Sequence, residues 1–109
     1  MKKSIALVGA GAWGKNHLKN LNQLGVLHTV LEQSSEMISV LKREFPEISF
    51  TQDVKGIIRN PDIKGVVIAA PAALHYRLTK QFLINNKDVM VEKPLALTVK
   101  EGAELVSLA

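Results

Sequence analysis

The sequence predicts an α/β domain built on a doubly wound parallel sheet, and three observations carry that prediction. Short apolar runs without polar alternation recur at residues 4–8, 27–32, 48–50, 65–70 and 89–91, the pattern of strands covered by helices on both faces. Segments of helical period separate them. The first run ends in Val8-Gly9-Ala10-Gly11-Ala12-Trp13-Gly14, with glycines spaced as in a tight strand-to-helix turn.

The elements follow in order. After the first strand, Trp13, His17 and Leu21, with Leu18 and Leu24, repeat at helical spacing over residues 12–23, and Gly25 closes that helix. Residues 27–32 make the second strand. Ser34 or Ser35 caps a second helix whose face is Met37, Ile38, Val40, Leu41 and Phe45, and Pro46 stops it. Residues 48–50 form a short third strand. Asp53 caps a small helix carrying Val54, Ile57 and Ile58, ended by the turn Asn60-Pro61-Asp62. Residues 65–70 are the most clearly buried strand. Past Pro71, the spacing of Leu74, Leu78 and Phe82 predicts a helix to about Asn86, and residues 89–91 give the fifth strand. Thr98, followed by Glu101, caps a last helix with apolar Val99, Ala103 and Val106 and no stop signal. The series βαβαβαβαβ implies right-handed crossovers and, most simply, strand order 3-2-1-4-5.

Composition narrows the function classes. At 109 residues the chain is one domain, and 47% apolar with 22% charged residues argues against disorder. The formal charge of +4 is scattered, without basic runs longer than two residues or interleaved aromatics, so nucleic-acid binding is not expected. Without cysteine there are no disulfides, thiolate metal sites or thiol catalysis, in keeping with a cytoplasmic protein. His17, His28 and His75 lack metal-ligand spacing. Lys2-Lys3 and the apolar residues after it mimic a signal peptide, but three glycines and Lys15 interrupt the pattern. Residues 65–74 are about half the ~20 residues a membrane helix needs, and Pro71 breaks them.

The glycine run carries the clearest chemistry. Gly9 supplies the turn, Gly11 lets backbone approach a pyrophosphate, and Gly14 lets the helix pack closely. Backbone N–H groups from Ala12 to Gly14 then face the anion, aided by the helix dipole by ~0.3–1 kcal/mol. Glu32, 18 residues after Gly14 at the end of the second strand, is placed to accept hydrogen bonds from an adenosine ribose, which favours NAD over NADP. No arginine stands beside it in the sequence. The alternative reading of Glu32 is a solvated loop residue. Trp13 contacts the cofactor through its backbone, its side chain covering the cleft or packing in the core.

Small residues at Ala69, Ala70 and Pro71 leave the fourth strand on the ligand side and let a dinucleotide lie close. His75 follows in the first helical turn, as a ligand contact or as a capping or exposed histidine. Val91-Glu92-Lys93-Pro94-Leu95 puts a charged pair at the end of an apolar strand, where such residues are poor strand formers. Lys93 there is suited to a substrate hydroxyl or cofactor ribose, with Glu92 holding its ammonium, and Pro94 fixes the turn through a cis or trans bond. A surface salt bridge before a proline turn is the competing reading.

Together the glycine loop, Glu32, Ala-Pro-Ala-Ala-Leu-His-Tyr and Val-Glu-Lys-Pro-Leu-Ala-Leu-Thr resemble the Gfo/Idh/MocA family of oxidoreductases, over residues 4–100. Glu92-Lys93-Pro94 is the specific element. Gly-Ala-Trp-Gly-Lys-Asn-His and Leu-Gly-Val-Leu also look like members acting on nucleotide-linked sugars of the UDP-N-acetylglucosamine type. The resemblance implies hydride transfer between NAD(P) and a carbohydrate hydroxyl, with Lys93 as the catalytic cleft lysine. The family's C-terminal antiparallel-sheet domain, with its catalytic histidine, substrate surface and oligomer surface, has no counterpart in these residues. The expectation is therefore a dinucleotide-binding domain over residues 1–109, truncated at its C-terminal end. Such a chain binds NAD(H) weakly, turns over no sugar alone, and is open to self-association. A non-catalytic NAD-binding or regulatory module is the alternative; a methyltransferase leaves Glu-Lys-Pro unexplained.

Overall fold

The computed structural model describes residues 2–109, with the side chains of Ala12 and Trp13 outside the description. Five strands, β1 (Ile5–Val8), β2 (Leu27–Leu31), β3 (Ser49–Thr51), β4 (Gly65–Ile68) and β5 (Asp88–Val91), form one sheet in the order β3-β2-β1-β4-β5. Every neighbouring pair is parallel. The helices are α1 (Ala12–Gln23), α2 (Ser35–Glu44), α3 (Val54–Ile58), α4 (His75–Ile84) and α5 (Val99–Leu108).

Strand alternation divides the core in two. Ala6 and Val8 of β1 and Val66 and Ile68 of β4 pack with Ile57, Leu78 and Phe82 beneath α3 and α4. Leu7 and Val67 point the other way, to Leu18 of α1 and Leu41 of α2. All four residues of β4 are buried, which is why its sequence carries no alternation.

Local chemistry sets the boundaries. The Ser34 hydroxyl accepts from the Met37 N–H, and Asp53 and Thr98 cap α3 and α5 in the same way. Gly25, at φ +74°, follows the end of α1 in the left-handed conformation. Several expectations shift. The fourth strand ends at Ile68, two residues early; Ala69 still donates to the Val8 carbonyl, and the Ala69–Ala70 backbone lies against Gly9 of the first loop. Past Pro71 the chain makes a short 3-10 turn at Ala72–Leu74 before α4. Val40 is exposed, since Met37, Leu41 and Phe45 form the stripe that packs inward. In α5 the buried anchor is Leu105, while Val99 and Val106 face outward at 90% and 69% exposure.

Candidate nucleotide site

At the carboxyl end of the sheet, the loop after β1 meets the chain leaving β4. Gly9 has φ +93°, and a Cβ there stands 2.8 Å from the Ala70 nitrogen. No L side chain fits that position without moving backbone. A Cβ on Gly14 stands 2.2 Å from the Gly9 carbonyl oxygen, so the closest approach is between helix start and loop as well as helix and sheet. Gly11 is the opposite case: it is exposed and nothing lies within 4 Å of a Cβ built on it. The same glycine is the N-cap of α1, with no side-chain cap and no acidic residue in the first turn. Open space and an uncapped helix start fit a phosphate, which a side-chain cap displaces. The side-chain roles of Ala12 and Trp13 lie outside the described residues.

Glu32 closes the loop from the second strand. Its Oε1 accepts from the Ala10 N–H at 3.0 Å and its Oε2 from the Ser34 N–H at 2.8 Å. The carboxylate thereby joins the glycine loop to the start of α2. It lines a cavity of about 690 Å³ with Gly11, Pro71, Leu74 and Arg77 among its walls. Arg77 enters from α4, so an arginine faces the same cavity as Glu32 although none adjoins it in sequence.

Across Ala70, which borders both spaces, a second cavity of about 550 Å³ is lined by Asn16, His17, Asn20, His75, Glu92 and Lys93. Glu92 does not hold Lys93. Its carboxylate pairs with His17 Nε2 of α1. Successive side chains of an extended segment diverge, so Glu92 turns to α1 while Lys93 stays exposed. Among the described residues Lys93 has no ion pair, and the Lys93–Pro94 peptide is cis. Of the alternatives for His75, the exposed one does not hold, because the residue is only 2% exposed. Its Nδ1 lies 2.6 Å from the Pro94 carbonyl and its Nε2 2.7 Å from that of Ala70. A neutral imidazole donates to one of these oxygens and an imidazolium to both. The ring thus bridges the exit of β4 and the turn after β5, forming part of the wall of the second cavity.

His17 and Arg77 escaped sequence reasoning. His17 was marked only by helical periodicity and by its place at the end of the Gly-Ala-Trp-Gly-Lys-Asn-His run, neither of which pairs it with Glu92, and Arg77 carried no signal. No group of three potential metal ligands occurs among the described residues, nor does a helix long and apolar enough to cross a membrane.

The family model describing an oxidoreductase family with an NAD-binding Rossmann fold matches residues 3–109. An uncharacterized oxidoreductase of Synechocystis sp. is 30% identical over 112 residues, spanning 97% of this chain and 29% of its own. The scyllo-inositol 2-dehydrogenase (NADP(+)) of Bacillus subtilis is 34% identical over 65 residues, 60% of this chain and 18% of its own. Among solved structures, GenD2 from gentamicin A biosynthesis in complex with NAD matches with a TM-score of 0.90 at 26% identity, covering 99% of this chain and 31% of that one. The chain spans less than a third of the length of these relatives.

Proposed function

Because this chain belongs to the Gfo/Idh/MocA oxidoreductase family, as an NAD(P)-binding Rossmann domain, we propose that it prefers NAD and serves hydride transfer to and from a sugar, nucleotide-sugar or cyclitol hydroxyl. The observation that carries the reading is the juxtaposition at Ala70: the open Gly11 cradle with Glu32 lies on one side, and Glu92-Lys93-Pro94 with His75 on the other. When bound, the nicotinamide supplies the hydride acceptor. This chain's residues do the holding. Backbone at Gly9, Gly11, Ala12, Trp13 and Gly14 takes the pyrophosphate, and Glu32 accepts from the adenosine ribose. Ala70 and Pro71 let the dinucleotide lie against the sheet ends, with His75 supporting the nicotinamide-side wall. The Lys93 ammonium is placed to donate to the reacting oxygen and to stabilise the negative charge that develops on it, while Glu92, fixed by His17, sets the direction of that turn. The relatives bring both cofactors and a cyclitol into range: one is named as an NADP(+)-linked inositol dehydrogenase and another was solved with NAD.

Residues 1–109 then act as the cofactor half of a cytoplasmic enzyme whose substrate surface lies on a second domain, and the half alone turns over no sugar. Titration of the fluorescence of Trp13, the single tryptophan, with NADH and NADPH tests the first part. Tighter NADH binding is expected; equal or tighter NADPH binding overturns the role given to Glu32. Assays with inositols and nucleotide sugars test the second, robust turnover by the isolated chain being the contrary result. Lys93→Ala in a full-length context should reduce turnover more than cofactor affinity, and the reverse result moves Lys93 from catalysis to binding.

A further inference from the structure

The cavity beside Glu32 carries an unassigned charge. Arg77 is the third residue of α4 and exposed, and it pairs with no acid among the described residues. It is the sole cationic side chain among the residues lining that cavity; the β2-α2 turn contributes Glu32 and Gln33. Glu32 meanwhile already accepts two backbone N–H groups, which tie it to the loop and leave it unpaired with Arg77. The two opposite charges therefore face one space from opposite sides of the switch point without neutralising each other.

Resting on the reading that this cavity takes the adenosine half of the nucleotide, we propose that Arg77 is a specificity-determining residue that tempers the discrimination by Glu32. A carboxylate at the ribose edge repels a 2′-phosphate, whereas a guanidinium presents a planar fork of donors that matches phosphate oxygens. With both present, the penalty on the phosphorylated cofactor is partly offset, and NADPH binds within reach of NADH. The cation is supplied from the helix after β4, 45 residues from Glu32, rather than from the turn that follows β2.

Equilibrium titration of the full chain and of Arg77→Ala with NADH and NADPH tests this, with circular dichroism confirming that each variant is folded. Loss of a charge-assisted contact widens the NADPH-to-NADH ratio of dissociation constants about tenfold, nearly all through NADPH. Arg77→Lys, which keeps the charge without the fork, recovers part of the loss. An unchanged ratio overturns the proposal, leaving Arg77 a solvated surface residue. Equal weakening of both cofactors overturns it too, since it locates Arg77 on the adenine. Glu32→Gln separates the underlying reading: it narrows the ratio whatever Arg77 does. If the parent chain binds neither cofactor, both readings fall together.

Discussion

At the scale of single residues, the glycines of the first loop make opposite demands. Gly9→Ala forces a side chain onto backbone at φ +93° and 2.8 Å from Ala70, and should cost about 1–3 kcal/mol in urea unfolding. Gly11→Ala meets nothing, so its cost is that of a poorer N-cap, about 1 kcal/mol or less. It should nevertheless weaken NADH at least about tenfold, because the methyl enters the space where backbone approaches phosphate. These positions were legible in the sequence because a turn's φ requirement is local. Lys87 was not, since it depends on where two segments distant in sequence, its own turn and that of Asn60 to Ile63, converge. It is 7% exposed, and its ammonium donates to the carbonyls of Asn60 at 2.8 Å and Ile63 at 2.6 Å. Lys87→Met leaves the Ile63 carbonyl without its donor, while that of Asn60 keeps the Ile63 N–H, and should destabilise by about 1–3 kcal/mol. Burial, with Lys64 nearby as the smaller cause, holds the Lys87 ammonium below its ordinary pKa. The unfolded chain then binds this proton more tightly, so Lys87 contributes a stability that rises with pH between the lowered folded value and the unfolded 10.5. The difference in unfolding free energy between parent and Lys87→Met should widen across that alkaline window.

The elements were the most legible level, and their partners the least. Period and caps locate all five helices, because caps and apolar stripes are written within ten residues of one another. Which stripe is buried depends on neighbours, and so Val40 and Val106 face outward. The α4–α5 contact shows the limit. Tyr76 donates its hydroxyl to Glu104 Oε2 at 2.6 Å, and the Lys80 ammonium reaches Glu104 Oε1 at 2.7 Å. The hydrogen bond from Lys80, then that from Tyr76, holds the Glu104 carboxyl below the ordinary carboxylate range. The bond to Glu104, then that to Tyr76, raises the Lys80 ammonium. A lowered carboxyl pKa gives a contribution present above the unfolded 4.5 and lost as pH falls through the folded value. The raised lysine mirrors it, present below 10.5 and lost as pH rises through its folded value. Protection of the α5 amides, taken relative to their intrinsic exchange rates, should therefore be greatest between these limits and fall on acidification relative to that of α4. Glu104→Gln should remove that acid step, and added salt should shrink it, the pair being open to solvent. An acid step that survives Glu104→Gln moves the titration to another carboxylate.

For the molecule as a whole, the proposed site is where the two halves of the sheet separate. The loop after β1 is bonded to β2 through Gly9 and Glu32 and rests against the exit of β4. That exit is bridged by His75 to the turn after β5. A ligand seated across Ala70 touches segments from four of the five strands, and binds only when all are in place. It must then stabilise the fold by mass action, about 2.7 kcal/mol at a hundredfold excess over its dissociation constant. For a domain of this size that corresponds to a rise of about 10–20 °C in Tm. Gly11→Ala separates this linkage from general stability: its own Tm should fall by no more than a few degrees, about 4–8 °C at most, while a tenfold weaker affinity should cut the NADH-dependent rise to about half or less at the same concentration. A rise of equal size in the variant places the nucleotide elsewhere than the open face of the loop. A rise in neither protein, with both folded, removes the cradle from the argument altogether.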